Sequence, residues 1–199
     1  ETWTNISPKD QQGYVPLEFS NISRLIVDPD NSDIVLVSTY GSRNTGSRIY
    51  RSDDGGSTWN ERYSIAYANS ITGVQQIISA PNDFNIQYAA VNGIGVLRSE
   101  DGGISWSNPG GIGLASTVPY DNEDGIMSSG AGGTFGRLEL AVSHQNPNTV
   151  YAGVDGDDAS YLKVSYDGGT TWNMLRNDDN TEDDWLSSLG WWGNTITLN

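Results

Sequence analysis

Residues 52–59 read Ser-Asp-Asp-Gly-Gly-Ser-Thr-Trp, and the same motif returns at 99–106 as Ser-Glu-Asp-Gly-Gly-Ile-Ser-Trp and at 165–172 as Ser-Tyr-Asp-Gly-Gly-Thr-Thr-Trp. An internal repeat of this kind indicates a fold assembled from equivalent units. We assign a structural role to four residues of each copy: Ser52, Asp54, Gly56, Trp59, Ser99, Asp101, Gly103, Trp106, Ser165, Asp167, Gly169 and Trp172.

Each residue type in the motif suits a tight turn between two strands. The carboxylate, as at Asp54, is expected to accept hydrogen bonds from backbone N–H groups that have no partner in the sheet. The second glycine, as at Gly56, supplies a positive φ without a steric clash. The tryptophan, as at Trp59, begins the next strand and covers the apolar side of the hairpin. The motif therefore predicts turns that support the fold and do no chemistry.

Strand-like runs surround every copy of the motif. One run directly precedes each copy, at residues 48–51, 95–98 and 161–164. Two further runs lie upstream, separated by turns that contain proline and asparagine; these turns lie at 28–31, 80–83 and 144–148. Each unit therefore reads strand, turn, strand, loop, strand, motif, strand. Four short antiparallel strands per unit are typical of a propeller blade.

On these residues the chain resembles the Asp-box (BNR) β-propeller superfamily, which includes sialidases, sortilin-type receptors, glycoside hydrolase family 74 and exported bacterial proteins. The run 148–153 followed by 163–169 is most similar to family 74 and to the exported propellers. The resemblance implies an all-β fold, namely about three four-stranded antiparallel blades of a larger propeller of about seven blades. Ser47-Arg48-Ile49-Tyr50 lacks the proline of a sialidase Arg-Ile-Pro motif, so we reject a sialidase for this stretch.

The two ends of the sequence also look like parts of blades. Thr2-Trp3-Thr4-Asn5 matches residues 58–60, and residues 192–199 resemble the first strand of another unit. We therefore expect the remaining blades to lie in a longer chain. The expected divisions are an outer strand and linker at 1–19, blades at 20–66 and 67–117, a blade with an insertion at 118–177, and the start of the next blade at 178–199.

Composition excludes several functional classes. The chain has 25 acidic and 10 basic residues and a net charge of −15, which would repel nucleic acid. It contains no cysteine, so disulfides, thiolate zinc sites and cysteine nucleophiles are excluded. No apolar stretch is long enough to span a membrane. With the resemblance, this composition leads us to expect a secreted or cell-surface protein of bacterial type.

Candidate ligand-binding residues lie in two predicted insertions. Aromatic rings beside carboxylates and amides suit sugar binding, and the candidates are Tyr120, Trp185, Trp191 and Trp192. The alternative is that the tryptophans pack between blades.

Asp155, Asp157 and Asp158 are candidate calcium ligands, since calcium takes several hard oxygens. Other acidic clusters, at 121–124 and 178–184, are ordinary solvated loops or paired carboxylates of a glycosidase. His144 is expected to be a surface turn residue.

The sequence leaves three functions open. The first is a binding scaffold for a polysaccharide or protein partner. The second is a family-74-like endo-glucanase whose catalytic carboxylates lie partly outside this chain, so no catalytic residue is assigned. The third is a purely structural propeller. The motif occurs in enzymes and non-enzymes alike, so the fold does not decide among them.

Overall fold

The structure is a computed structural model that describes residues 2, 21–40, 46–65, 73–92, 94–109, 137–155 and 160–177. These residues form eleven antiparallel strands in three sheets. The first sheet contains β1 (Asn21–Val27), β2 (Val35–Tyr40), β3 (Ser47–Ser52) and β4 (Asn60–Ile65). The second contains β5 (Val74–Ala80), β6 (Asp83–Val91) and β7 (Gly95–Ser99). The third contains β8 (Leu138–Val142), β9 (Val150–Asp155), β10 (Ser160–Ser165) and β11 (Asn173–Asn177).

Within each sheet the strands pair in chain order, as in a simple meander. The predicted all-β architecture of antiparallel blades is therefore confirmed, and the third strand of each sheet covers the run that the sequence predicted before each motif. The three repeated motifs at 52–59, 99–106 and 165–172, which we call the box turns, follow β3, β7 and β10.

The second sheet differs from its neighbours in its outer strand. After the box turn the chain pairs with β7 through a single bridge, in which the N–H and carbonyl groups of Arg98 and Ser107 bond at 2.7 and 2.9 Å. Two residues further on the chain reaches Pro109, which has no N–H group to continue the ladder. Among the described residues, the fourth strand of this sheet is therefore reduced to one bridge.

The second sheet is buried on both faces, and β6 shows how. Its residues Tyr88, Ala89, Ala90 and Val91 are all buried. Tyr88 and Ala90 belong to the core shared with the third sheet, whereas Ala89 and Val91 belong to the core shared with the first. Successive side chains of a strand point to opposite faces, so the half of β6 that lies between the two cores, residues 88–91, is apolar on both faces.

The two cores join consecutive sheets face to face. Leu36 and Ile49 of the first sheet pack with Ile77 and Leu97 of the second. The other core joins the second and third sheets and contains Ala80, Tyr88, Ala90, Val96, Leu138, Leu140, Val142, Val150, Ala152, Val154 and Trp172. Each sheet therefore packs on the next one along the chain, as blades do in a propeller.

The strands of each sheet are connected at two sides, one at each end of the strands, and the connections differ between the two sides. Each box turn bonds to the first turn of its own sheet, through Gly55 N–H to Asp33 O at 2.9 Å and Gly168 N–H to Asn148 O at 2.8 Å. We call this side the box edge. Because the strands are antiparallel, the connections β2–β3, β6–β7 and β9–β10 lie at the other side, which we call the opposite edge.

The described ranges contain only strands and turns, and no helix among them has the length and apolar character needed to cross a bilayer.

Candidate functional site

The box turns share one hydrogen-bond pattern. In the first turn, Ser52 Oγ accepts the Gly56 N–H at 2.8 Å, and Asp54 accepts both the N–H and the hydroxyl of Thr58 at 2.7 Å each. The same bonds, with lengths of 2.6–2.9 Å, join the corresponding residues of the other two turns: Ser99, Asp101, Gly103 and Ser105, and Ser165, Asp167, Gly169 and Thr171. Each serine hydroxyl also donates to its aspartate at 2.8 Å.

Glycine is needed at two consecutive positions of each box turn. The second glycine has a φ of 90° at Gly56, 85° at Gly103 and 92° at Gly169. The preceding glycine is also left-handed, with a φ of 67° at Gly55, which the sequence argument did not anticipate. L residues other than glycine rarely adopt two such conformations in succession. The turn geometry therefore explains why Gly-Gly occurs in all three copies.

The box tryptophans pack between sheets rather than over a single hairpin. Trp106 packs against the core between the first and second sheets. Trp172 is buried in the core between the second and third sheets, and its indole Nε1–H donates to Gly169 O at 3.1 Å. Trp59 is half-buried just before β4. In the second and third box turns the last residue therefore fills the boundary between its own sheet and the preceding one.

The box aspartates are held ionised. Hydrogen bonds from the Thr58 hydroxyl, the Thr58 N–H and Ser52 lower the pKa of Asp54. At Asp101 and Asp167 partial burial acts in the opposite direction, but hydrogen bonds from Ser105 and Thr171 prevail and the pKa of both carboxyls is lowered. A general acid needs a raised pKa, so these carboxylates suit a structural role and not the role of the general acid in glycoside hydrolysis.

Two arginines link consecutive sheets, and the sequence argument did not identify them. Arg51, almost buried, donates from Nη1 to Gly102 O in the second box turn and pairs with Asp53 at 2.6 Å. Arg98 occupies the corresponding position in the second sheet; its Nη2 donates to Asn148 Oδ1 of the third sheet at 2.8 Å. The signal was present in the sequence, because an arginine directly precedes Ser52 and Ser99. We call these contacts the arginine clasps.

Lys163 in β10 is a second buried cation that the sequence argument missed. Its side chain is 2% exposed, and burial lowers its pKa from the ordinary 10.5 to about 8. Such burial favours the neutral amine. It also keeps the amine away from any ligand in solution, so Lys163 is a determinant of stability and not a binding residue.

His144 lies where the sequence predicted it. It is exposed in the β8–β9 turn, and its carbonyl oxygen accepts a hydrogen bond from Asn82 Nδ2 of the second sheet at 3.0 Å. The Asn82 amide also lies 3.3 Å from His144 Nδ1. The expectation of a surface turn residue is confirmed, and the histidine joins two neighbouring turns at the box edge.

The candidate sugar-binding residues lie outside the described residues: Tyr120, Trp185, Trp191 and Trp192. The chain on either side of Tyr120 is nevertheless placed. Asn108 bonds to Ile94 O at 3.4 Å, at the start of β7, and β8 begins at Leu138. Leu138 lies at the opposite edge, whereas Pro109, the last described residue before the connection, lies near the third box turn, since a Cβ atom added to Gly169 would be 3.3 Å from Pro109 Cγ.

The candidate calcium site is placed in part. Asp155 is the last residue of β9 and lies at the opposite edge, whereas Asp157 and Asp158 lie outside the described residues. In the described ranges, no three acidic, histidine or cysteine side chains are grouped as metal ligands. Calcium binding at these three aspartates stays a prediction.

Known proteins resemble the chain in sequence and in fold. No protein-family model matches the sequence. The chain is 33% identical over 141 residues to a xyloglucanase of Paenibacillus sp, and the match covers 68% of this chain and 12% of the relative. The chain therefore spans about an eighth of the length of that curated relative.

Solved structures also resemble the chain. One is the GH74 xyloglucanase of Xanthomonas campestris, with a TM-score of 0.54, 19% identity, and coverage of 79% of this chain and 24% of that one. Another is YCF48 of Cyanidioschyzon merolae, with a TM-score of 0.50, 16% identity, and coverage of 79% and 37%. At such identities the likeness concerns the fold alone. Together with the three stacked antiparallel sheets, it shows that the chain has the fold of consecutive β-propeller blades.

Proposed function

We propose that this chain is part of an extracellular β-propeller that binds a xyloglucan-type polysaccharide. The observation that carries the proposal is its 33% identity over 141 residues to the xyloglucanase of Paenibacillus sp. In the proposal the box edge supports the blades, because its carboxylates are engaged in hydrogen bonds within the turns. The candidate ligand-binding residues are Tyr120, Trp185, Trp191 and Trp192.

The strong acidity of the chain agrees with a neutral polysaccharide as the ligand. A net charge of −15 disfavours polyanionic glycans and nucleic acids, whereas uncharged glucans are not repelled. Recognition of such a ligand relies on aromatic stacking and on hydrogen bonds to hydroxyl groups.

Affinity gel electrophoresis tests the binding proposal. The chain is run in native gels that contain xyloglucan, and in matched gels that contain pullulan or no polysaccharide. We expect retardation in xyloglucan alone. Equal mobility in all three gels, at polysaccharide concentrations that retard a known xyloglucan-binding protein, would refute the proposal.

An endo-glucanase is the second candidate, favoured by the same relative. Among the described residues, the box aspartates and Glu139 are poor candidates for a general acid, because the box aspartates have lowered pKa values and Glu139 pairs with Arg137 at 2.5 Å. These four carboxyls are therefore not proposed as the general acid of such an enzyme. Release of reducing ends from xyloglucan by the full polypeptide that contains this sequence would establish the enzyme, and retardation without release would favour a binding module.

Calcium is the proposed cofactor, at Asp155, Asp157 and Asp158. Isothermal titration of the chelated chain with calcium should show one binding event that is lost in the double variant Asp157→Asn, Asp158→Asn. Magnesium is the matched control, because it demands a stricter octahedral geometry. Absence of heat with calcium would remove the cofactor from the proposal and leave polysaccharide binding to be judged by the gels.

A further inference from the structure

Tyr40 places an aromatic ring at the opposite edge, within the part of the chain that the structure describes. It is the last residue of β2, and its Cα partner in the ladder is Asn21, the first residue of β1. Directly opposed residues of an antiparallel pair have side chains on the same face of the sheet. Tyr40 is half-buried and Asn21 is exposed. An aromatic ring and an amide therefore lie side by side at this edge.

The backbone of the second sheet supports the Tyr40 ring. A Cβ atom added to Gly73 would collide with the Cδ2 and Cε2 atoms of Tyr40, so the ring lies directly against the Gly73 backbone. Gly73 is itself held, since its carbonyl oxygen accepts the Asn92 N–H at 2.9 Å. Glycine at position 73 therefore allows a close approach that any other residue would prevent.

Hydrogen bonds close to the ring lock the two sheets together. Ser23 Oγ donates to Val74 O at 2.5 Å and lies 2.8 Å from Ser38 Oγ. The bond to Val74 crosses from the first sheet to the residue that follows Gly73, whereas the contact with Ser38 lies within the first sheet. The position of Tyr40 relative to both sheets is thus set before any ligand arrives, which reduces the entropy lost on binding.

We infer that Tyr40 and Asn21 form a saccharide subsite, in which a pyranose ring of a neutral glucan stacks on the tyrosine and a sugar hydroxyl bonds to the asparagine amide. The inference rests on the proposed function and adds to it a named contact. Aromatic faces match the apolar C–H faces of sugar rings, and an amide can both donate to and accept from a hydroxyl. Burial raises the pKa of the Tyr40 phenol, which therefore stays neutral at physiological pH.

The test compares the same substitution at the two edges. Tyr40→Ala should weaken xyloglucan retardation about tenfold, since it removes the stacking surface. Tyr166→Ala is the matched control, because Tyr166 is an exposed tyrosine in the third box turn. The affinity of this variant for xyloglucan should equal that of the parent chain. Tyr40→Phe keeps the ring and should bind within about twofold of the parent chain. Near-UV circular dichroism and the melting temperature confirm that each variant is folded.

A variant of Gly73 tests the position of the ring. Gly73→Ala should displace Tyr40 and weaken binding, and it should cause no further loss in the Tyr40→Ala background. If the parent chain is retarded and folded Tyr40→Ala is retarded equally, the subsite is overturned while the proposed function stands. If Tyr166→Ala loses as much affinity as Tyr40→Ala, the subsite is likewise overturned. If the parent chain itself fails to bind, the proposed function fails first.

Discussion

The guanidinium of Arg51, at the end of the first sheet's third strand, donates a hydrogen bond to the carbonyl oxygen of Gly102 in the box turn of the second sheet. The contact crosses a sheet boundary and is almost excluded from solvent, since the Arg51 side chain is 8% exposed. Arg98 also crosses to the next sheet, where it donates to the side-chain oxygen of Asn148 outside the box turn. The arginine clasps therefore add a directional polar contact to the apolar cores between sheets.

Removing the first clasp should destabilise the fold. We expect Arg51→Met to lower the free energy of unfolding by roughly 1–3 kcal/mol, because the buried Gly102 carbonyl loses its charged donor. Urea unfolding followed by tryptophan fluorescence measures the change. The control is Glu61→Gln, which breaks the exposed Arg48–Glu61 pair and should cost less than about 1 kcal/mol. Equal losses in the two variants would contradict a special role for the clasp.

The serine of a box turn should matter more than its exposed neighbours. Ser99 Oγ accepts the Gly103 N–H at 2.8 Å and donates to Asp101. Ser99→Ala leaves that buried N–H without its acceptor, and we expect a loss of about 1–3 kcal/mol. Ser57→Ala, at an exposed position in the first turn, should stay within about 0.5 kcal/mol of the parent chain. Denaturant midpoints that shift equally would show that the serine hydroxyl is dispensable.

Gly103 tolerates a side chain less well than Gly55, although both have a positive φ. A Cβ atom on Gly103 would collide with Leu36 of the first sheet, whereas one on Gly55 would meet only Asp33 Oδ1 at 3.6 Å. We expect Gly55→Ala to cost about 1–2 kcal/mol from the backbone alone. Gly103→Ala should cost about 3 kcal/mol or more, because steric overlap adds to the same backbone term. Thermal melts of the two variants would reveal the difference, and similar melting temperatures would refute the packing argument.

Stability should rise with pH in the alkaline range because of Lys163. Its pKa is about 8 in the folded chain and ordinarily 10.5, so between these values the unfolded chain binds more protons than the folded chain. An excess of protons on the unfolded state makes the free energy of unfolding increase with pH. As the pH rises from 8 to 10.5, the free energy of unfolding of the parent chain should therefore increase relative to that of Lys163→Met. Parallel pH profiles for the two proteins would show that Lys163 does not titrate in this window.

Much of the fold followed from the repeated motif, for a physical reason. A box turn contains its own hydrogen-bond partners, as Asp54 and Thr58 show, so eight consecutive residues determine its structure. The strands that precede the box turns were recognisable in the sequence as short strand-like runs. The sequence also contained the cause of the incomplete outer strand of the second sheet, which is Pro109. The effect of this proline depends on which N–H group the ladder needs at that position.

Contacts between sheets were harder to predict. Arg51 and Gly102 are far apart in the sequence, and only the packing of two sheets brings them together. The same holds for Tyr40 and Gly73, whose contact depends on the absence of a Cβ atom. Sequence spacing within one strand carries no information about such pairs. The sugar-binding and calcium predictions concern connections between strands, where no regular periodicity guides the argument.

The direction of the arginine clasps has a consequence for how the chain is made. In both cases the arginine belongs to the earlier sheet and its acceptor to the later one. A polypeptide emerging from the ribosome therefore completes each donor before its acceptor is synthesised, and domains fold as the chain emerges. Each new sheet can then dock on a sheet that has already been synthesised. Val164 occupies the arginine position in the third sheet, so that sheet has no clasp of this kind at its third strand.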